Sequence, residues 1–347
     1  MKDKNYHEDF DDNNFEFDHV FNDKMKNTVK KAKIKSFFRT ILISIVTVLL
    51  LGLAVSYVSG KRVEKNSQQL TTEIMNRHMA LGANTFTGTF WTKNNTFSGE
   101  AEYTTFKYVN GIRVFTGTHG YTYNVMGYTG RRYSSIAGGG IDFTRMNKEE
   151  LFLRPKFNDL EQRLMEFYYP FVDYKTFYKN DLSKVAEIGD NKYIEMGISF
   201  DKLYTMDEIN KLLPRGMNLT WYWVDVLNKQ EKENVDFKIL KQQGKNGMVE
   251  NREEFPSICY EDRAYGFHAI NEYGEKLEDP EEYFKSALQK ADMKDIYQQL
   301  AGKDGIIDNK DIKIQGVVVT GDARSLIKLK GLPFIKASSL GIVTDKY

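Results

Sequence analysis

The sequence predicts an α+β protein with a single transmembrane helix, a β-rich membrane-proximal region and an α+β sandwich ectodomain. Three observations predict it: an uncharged apolar stretch at 40–60, a turn-rich stretch at 84–136, and alternating strand-like and helix-like segments after 145. The boundaries follow these changes in composition: a cytoplasmic tail (1–36), the transmembrane helix (37–59), a polar stalk (60–83), a β-rich region (84–144) and an α+β domain (145–347).

The bulk composition is that of a globular chain. Its 347 residues are 41% hydrophobic and 28% charged, with a net charge of +1. A nearly neutral chain lacks the basic surface that general nucleic-acid binding needs, so we expect no direct nucleic-acid partner. The single cysteine, Cys259, excludes an internal disulfide, so stability must come from core burial.

The transmembrane helix is predicted from an apolar run without charge. Thr40 to Val58 spans roughly 28 Å as a helix, close to the thickness of a bilayer core. A buried core helix is rarely apolar on every face for so long. A cleaved signal peptide is the stronger rival because Ala54-Val55-Ser56 resembles a cleavage site, but the long preceding segment disfavours it.

The charges beside this run predict its orientation. Residues 24–39 carry seven basic side chains and no acid, whereas Lys61, Arg62 and Lys65 on the far side are offset by Glu64. The more basic flank stays in the cytoplasm. The N-terminus is therefore expected inside the cell and the C-terminal domain outside, in a single-pass cell-membrane protein.

The tail has two halves of opposite charge. Residues 1–23 carry a net charge of −6, with phenylalanines interleaved among the acids. One interpretation is a disordered acidic leader followed by a basic segment that binds anionic lipid headgroups. The other is a docking segment that folds onto a basic, grooved partner. The candidate partner-binding residues are Phe10, Phe15, Phe17, Asp18 and Phe21.

The ectodomain pattern predicts many short elements. Asn110-Gly111 predicts a hairpin between strands at 100–109 and 112–118, within four or five antiparallel strands. Further turns are predicted at 93–95 and 129–130, and a flexible connection at 137–140. Strands are predicted at 192–200, 219–227, 265–270, 311–321 and 335–343. Helices are predicted at 61–81, 146–150, 159–167, 205–213 (with a capping box from Thr205 to Glu208), 279–300 and 322–330.

The ectodomain sequence offers no catalytic constellation. His78, His119 and His268 lack metal-ligand spacing, so each is interpreted as an ordinary surface or core histidine. No histidine near Cys259 marks it as a nucleophile, and its thiol is expected to be buried and inert. The stretch 303–309 resembles a fragment of a calcium loop but lacks the spaced ligands. We expect no enzyme activity, no metal and no cofactor.

Both ends of the chain resemble one family. The C-terminal stretches IQGVVVTG (314–321), LIKL (326–329) and IKASSLGIV (335–343) resemble the C-terminal domain of bacterial sigma factor regulators. The stretch KKAKIKSFFRTILIS (30–44) is similar to the matching N-terminal domain. These regulators are membrane-bound anti-sigma factors of Gram-positive bacteria.

The resemblance implies a function in transcription regulation and signal transduction. The tail would hold an extracytoplasmic-function sigma factor inactive at the membrane, and the ectodomain would sense an envelope state or bind another membrane protein. The tail lacks the His-x-x-x-Cys-x-x-Cys motif of zinc-binding anti-sigma factors, so a redox or metal trigger is not expected. The alternative is a membrane-anchored envelope enzyme or ligand-binding protein whose tail only sets its topology.

Overall fold

A computed structural model describes residues 13–134, 154–236, 238–243, 249–254, 257–290, 293–302 and 304–346. The chain divides into two compact units, residues 1–62 and residues 63–347. The helix predicted at 146–150 and the connection at 137–140 lie outside the described residues.

The first unit is built on helix α1, Asn13–Ala80, which continues into the second unit. It is the one helix of the described chain that is long and apolar enough to cross a membrane. Leu42, Val48 and Leu53 are more than 60% exposed, so no protein surface covers them. The Thr47 hydroxyl donates to the Ile43 carbonyl at 2.8 Å, which satisfies a polar group that lipid could not. The predicted transmembrane helix is thus a helix with a lipid-compatible surface.

The second unit begins with a four-stranded antiparallel sheet, here called the meander. Its strands are β1 (Phe86–Asn94), β2 (Ser98–Val109), β3 (Ile112–Asn124) and β4 (Thr129–Ser134), paired in that order. Asn110 and Gly111 have φ values of 51° and 87°, which is the type I′ geometry expected for a two-residue hairpin. The hairpin prediction is confirmed. The turn predicted at 129–130 is wrong because these residues begin β4, after a turn at Gly127 with φ 86°.

The end of α1 packs on the meander. Val63, Leu70 and Ile74 recur at helical spacing and are buried against Ala101, Tyr103 and Tyr123. The segment predicted as a polar stalk is therefore helical, but one face of it belongs to a hydrophobic core.

The remainder of the unit is a set of short helices and strands. The strands are β5 (Lys156–Phe157), β6 (Arg163–Leu164), β7 (Glu166–Phe167), β8 (Lys192–Tyr204), β9 (Asn218–Val224), β10 (Lys238–Gln243), β11 (Val249–Glu254), β12 (Cys259–Tyr260), β13 (Gly266–His268), β14 (Ile314–Asp322) and β15 (Ile335–Asp345). The α-helices are α2 (Val185–Ile188), α3 (Met206–Leu212), α4 (Lys229–Val235), α5 (Pro280–Lys290), α6 (Lys294–Ala301) and α7 (Ala323–Leu326). Turns of 3₁₀-helix cover Asp181–Lys184, Glu261–Arg263, Asn309–Asp311 and Ile327–Leu329.

A five-stranded sheet forms the centre of this unit. Its order is β13-β9-β14-β8-β15, and every neighbouring pair is antiparallel. Alternate residues of each strand face opposite sides. On one side, Ile198 and Val317 share a core with Phe284 of α5; on the other, Trp223 packs on Phe167 with ring centroids 5.2 Å apart. The architecture is the predicted α+β sandwich.

The predicted capping box at α3 is confirmed. The Thr205 hydroxyl accepts from the Glu208 backbone N–H, and the Glu208 carboxylate accepts from the Thr205 N–H at 2.7 Å. This reciprocal pair satisfies two amide groups that the first turn of a helix leaves free.

Two helix predictions are wrong. At 159–167, the Asn158 side chain accepts from the amides of Leu160 and Gln162, and Glu161 adopts φ 59°, so a tight turn leads into β6 and β7. The single helix predicted at 279–300 is two helices, α5 and α6. Met293, the residue before α6, has φ −123° and ψ 23°, which is not helical, and its side chain lies in the core.

Candidate functional site

The tail residues proposed to bind a partner lie at the start of α1, except Phe10, which is outside the described residues. At about 100° per residue, positions 17 and 21 share a face of the helix and position 18 flanks it, whereas position 15 falls on the far side. Met25, one turn beyond position 21, is 59% exposed. The helical backbone therefore places positions 17 and 21, but not position 15, on the side of α1 where Met25 lies.

The basic segment that follows is also helical and exposed. The seven basic residues between positions 24 and 39 lie along α1. Phe37 and Phe38 follow them, with 64% and 66% of their surfaces exposed. A cationic stretch that meets exposed apolar side chains suits the boundary between lipid headgroups and acyl chains.

The second unit holds a buried ion network that joins the meander to the central sheet. Lys107 of β2 lies 2.8 Å from Glu261 Oε1 and 3.2 Å from Glu195 Oε2, and all three side chains are at least 90% buried. Asn84 Nδ2 donates to Glu195 Oε1 at 2.8 Å. The Met165 amide donates to Glu261 at 2.8 Å. Several ion-pair and hydrogen-bond partners are needed to offset the cost of removing charged side chains from water.

The protonation of this network follows from burial and pairing. Burial acts to lower the pKa of Lys107, but the two carboxylates outweigh it and the pKa is raised, so the lysine stays charged. Burial raises the pKa of Glu261, and Glu195 adds to that effect while Lys107 opposes it. The single cation balances the charge of one carboxylate, and the raised pKa of Glu261 lowers the cost of burying the second carboxyl group beside it.

A cavity of about 480 Å³, here called the polar cavity, opens beside this network. The last turns of α1, strands β2 to β4 and the 3₁₀ turn at 261–263 form its walls. Among the described residues that line it, five side chains are cationic and two are acidic. The cationic ones are Arg77, Lys107, Arg131, Arg163 and Arg263, and the acidic ones are Glu261 and Asp262.

The histidines in this wall are neutral. Burial and then the charge of Arg131 lower the pKa of His119 to about 4. Burial lowers the pKa of His78 to about 3, with smaller contributions from neighbouring histidines and Arg77. Burial is the larger cause for both histidines, and nearby arginines add to the lowering of the pKa.

Two polar atoms of the cavity wall have no hydrogen-bond partner among the described residues. His78 Nε2 lies 3.2 Å from the Tyr103 hydroxyl, and its Nδ1 is buried without a partner. The Arg163 guanidinium pairs with Asp181 through one terminal nitrogen, which leaves its Nε unpaired. Buried polar atoms in native proteins rarely lack a partner.

A second cavity, of about 460 Å³, adjoins the same part of α1. Its lining includes the apolar side chains of Met75, Met79 and Phe86, and it shares His78 with the polar cavity. His268 Nε2 lies 3.2 Å from the His78 carbonyl, and burial lowers the pKa of His268 to about 4.

The sequence interpretation of these histidines was incomplete. His119 and His268 are buried and His78 is half-buried, as core histidines would be, but the three also cluster around one end of α1, which no sequence spacing indicated. Among the described residues, no three His, Cys, Asp or Glu side chains group as metal ligands. Cys259 is buried, and burial raises the pKa of its thiol to about 12, so the prediction of an inert thiol is confirmed.

Two family models match the chain. The sigma factor regulator N-terminal domain matches residues 26–114, and the sigma factor regulator C-terminal domain matches residues 185–342. No curated protein and no solved structure matches the chain. The polar cavity lies where the two matched segments meet, with Arg77 and Lys107 in the first and Arg263 in the second.

The two matches cover both ends of the chain in the order that the family has, and that family is regulatory rather than enzymatic. An anti-sigma factor role and a sigma factor partner accord with it. The chain belongs to the sigma factor regulator family.

Proposed function

We propose that this protein is a single-pass anti-sigma factor that sequesters an extracytoplasmic-function sigma factor through its short cytoplasmic tail, residues 1–36. Its C-terminal unit lies outside the cell, where it senses an envelope signal or binds another membrane protein. The observation that carries the proposal is the presence of both sigma factor regulator domains, one on each side of an intervening segment.

The charge of the tail supports docking to a sigma factor. Residues 1–23 carry a net charge of −6. A DNA-binding protein has a basic surface, so an acidic segment complements it and covers the surface that DNA would occupy. Phe17 and Phe21, one helical turn apart, supply apolar anchors of the helix-in-groove type. Phe10, Phe15 and Asp18 complete the proposed contact residues.

Co-purification tests the docking. Full-length protein carrying Phe17→Ala and Phe21→Ala together should recover much less sigma factor from solubilised membranes than the unsubstituted protein. Phe97→Ala is the matched control, because Phe97 is 55% exposed but belongs to the C-terminal unit. Equal recovery of sigma factor by the double variant and the control would contradict the docking.

Labelling of introduced cysteines tests the orientation. The native Cys259 thiol is buried and has a raised pKa, so it reacts slowly and gives a low background. On intact cells, a membrane-impermeant maleimide should label Tyr128→Cys, at a position 71% exposed, and should not label Met25→Cys. Labelling of Met25→Cys alone would reverse the proposed topology.

The polar cavity favours a ligand-binding role for the outer unit, which accords with the alternative of a membrane-anchored ligand-binding protein. Deletion of residues 1–23 separates the two functions. Loss of transcriptional repression with an intact C-terminal unit supports the anti-sigma factor. Unchanged transcription supports the alternative, in which the tail only sets the topology.

A further inference from the structure

We propose that the polar cavity binds a phosphate-class oxyanion, either a phosphate or a pyrophosphate group of a larger molecule. The proposal concerns the chemistry of the ligand, and the binding can be tested without reference to a sigma factor. Only a link between this binding and the release of a sigma factor would rest on the proposed function.

The charge of the cavity wall is the first argument. Lys107 and Arg163 are engaged by buried carboxylates, but Arg77, Arg131 and Arg263 are exposed at the cavity and have no acidic partner among the described residues. The two histidines are neutral and add no charge, so the described lining has five cationic and two acidic side chains. Guanidinium groups bind phosphate through paired hydrogen bonds, and a multiply charged anion best matches this excess.

The unpaired donors are the second argument. When the Tyr103 hydroxyl donates to His78 Nε2, the proton of the neutral imidazole sits on Nδ1. The Nε of Arg163 is a donor in every state of that side chain. Both residues line the cavity, but the two nitrogens themselves are buried from solvent, so each side chain must shift slightly for a bound oxyanion to supply the acceptor that its nitrogen lacks.

The size of the cavity limits the ligand. A volume of about 480 Å³ lies within the range of small-molecule sites and is larger than a bare phosphate needs. The side chains of Thr85, Thr116 and Tyr121 also line the cavity and offer hydroxyl groups to the rest of the ligand. The oxyanion is therefore one part of its ligand, which is either a soluble phosphate ester or the headgroup of an anionic lipid.

Neighbouring arginines on β4 provide a matched pair of variants. Arg131 lines the cavity, and its charge contributes to the lowered pKa of His119. Arg132, the next residue, pairs with Glu100 at 2.9 Å and is absent from the cavity lining. Arg131→Gln removes a proposed ligand contact, whereas Arg132→Gln makes the same chemical change beside it.

Binding is measured on the full-length chain in zwitterionic nanodiscs and phosphate-free buffer. Calorimetric titration uses inorganic pyrophosphate as the soluble probe. In a parallel arm, the thermal unfolding temperature is compared between nanodiscs with and without phosphatidic acid. We expect Arg131→Gln to weaken pyrophosphate binding by roughly 10-fold or more, or to abolish the lipid-induced shift, because a charge-assisted contact is lost. Arg132→Gln should behave as the unsubstituted protein does.

The two arms identify the source of the ligand. Saturable pyrophosphate binding that depends on Arg131 supports a soluble phosphate ester, and an Arg131-dependent shift with phosphatidic acid alone supports a lipid headgroup. Absence of both responses overturns the site, as do equal effects of the two substitutions. Recovery of the sigma factor does not depend on either binding response. A negative result in both arms would therefore leave the proposed anti-sigma function untouched.

Discussion

Substitution Lys107→Met should destabilise the C-terminal unit by about 3 kcal/mol, because it leaves two buried carboxylates without their cation. Loss of one partner of a buried ion pair costs about 3–5 kcal/mol. The lower end applies here, since Glu195 and Glu261 keep hydrogen bonds from Asn84 and from the amides of Ile342 and Met165.

The loss should depend on pH. Without Lys107, burial raises the pKa of Glu261 in the folded state further above that of the unfolded chain. The folded state then binds more protons, so the variant gains stability as the pH falls through the raised pKa. The deficit should therefore be larger at about pH 7.5 than at about pH 5.5.

Urea unfolding of the full-length protein in detergent micelles measures this deficit through the fluorescence of the buried Trp221 and Trp223. Lys93→Met is the control, since Lys93 is exposed on β1 and its loss should change stability by less than about 0.5 kcal/mol. Adding Glu261→Gln to Lys107→Met should restore part of the stability, because the glutamine removes one buried charge while its oxygen still accepts from the Met165 amide. A deficit below about 1 kcal/mol, or one that is independent of pH, would refute this reasoning.

Two further predictions concern the same unit. The pKa values of His78, His119 and His268 lie near 3, 4 and 4, below the unfolded value of 6.5, so their contribution to stability is present above about pH 6.5 and lost as the pH falls towards 4. At about pH 5, each histidine should lower the free energy of unfolding by up to about 2 kcal/mol relative to neutral pH. The variant His268→Gln should therefore show a weaker dependence of unfolding temperature on pH. An unchanged dependence would contradict the lowered pKa of His268. The substitution Gly341→Ala would place a Cβ 2.5 Å from Glu195 Oε2 and 2.9 Å from Met165 Cγ. We therefore expect the free energy of unfolding in urea to fall by about 1–3 kcal/mol. An unchanged free energy would show that the Glu195 carboxylate can move aside.

Local features of the fold were predictable where a short motif determines the backbone. The apolar run predicted α1, Asn110-Gly111 predicted the hairpin, and Thr205 with Glu208 predicted the start of α3. The helix predicted at 159–167 is wrong because the Asn158 side chain accepts backbone hydrogen bonds that stabilise a turn, and hydrophobic periodicity gives no sign of such a turn.

The polar cavity could not be predicted, because its parts meet only through tertiary structure. Lys107 is 88 residues from Glu195 and 154 from Glu261 in the sequence. Nothing in the local pattern around His78 or Arg131 indicates that β4 lies across from the end of α1. The phenylalanines of the tail were visible in the sequence because their neighbours are acidic, and their partner-binding role stays a prediction.

The burial of Val63, Leu70 and Ile74 under the meander has a consequence for proteolysis. A protease that cut between residues 63 and 80 would strip part or all of this helical cover from Tyr103 and Tyr123, and a cut after His78 would also remove Arg77 and His78 from the polar cavity. The released fragment would expose a core and become a substrate for degradation. A cleavage that sheds an intact C-terminal fragment must therefore fall before Val63.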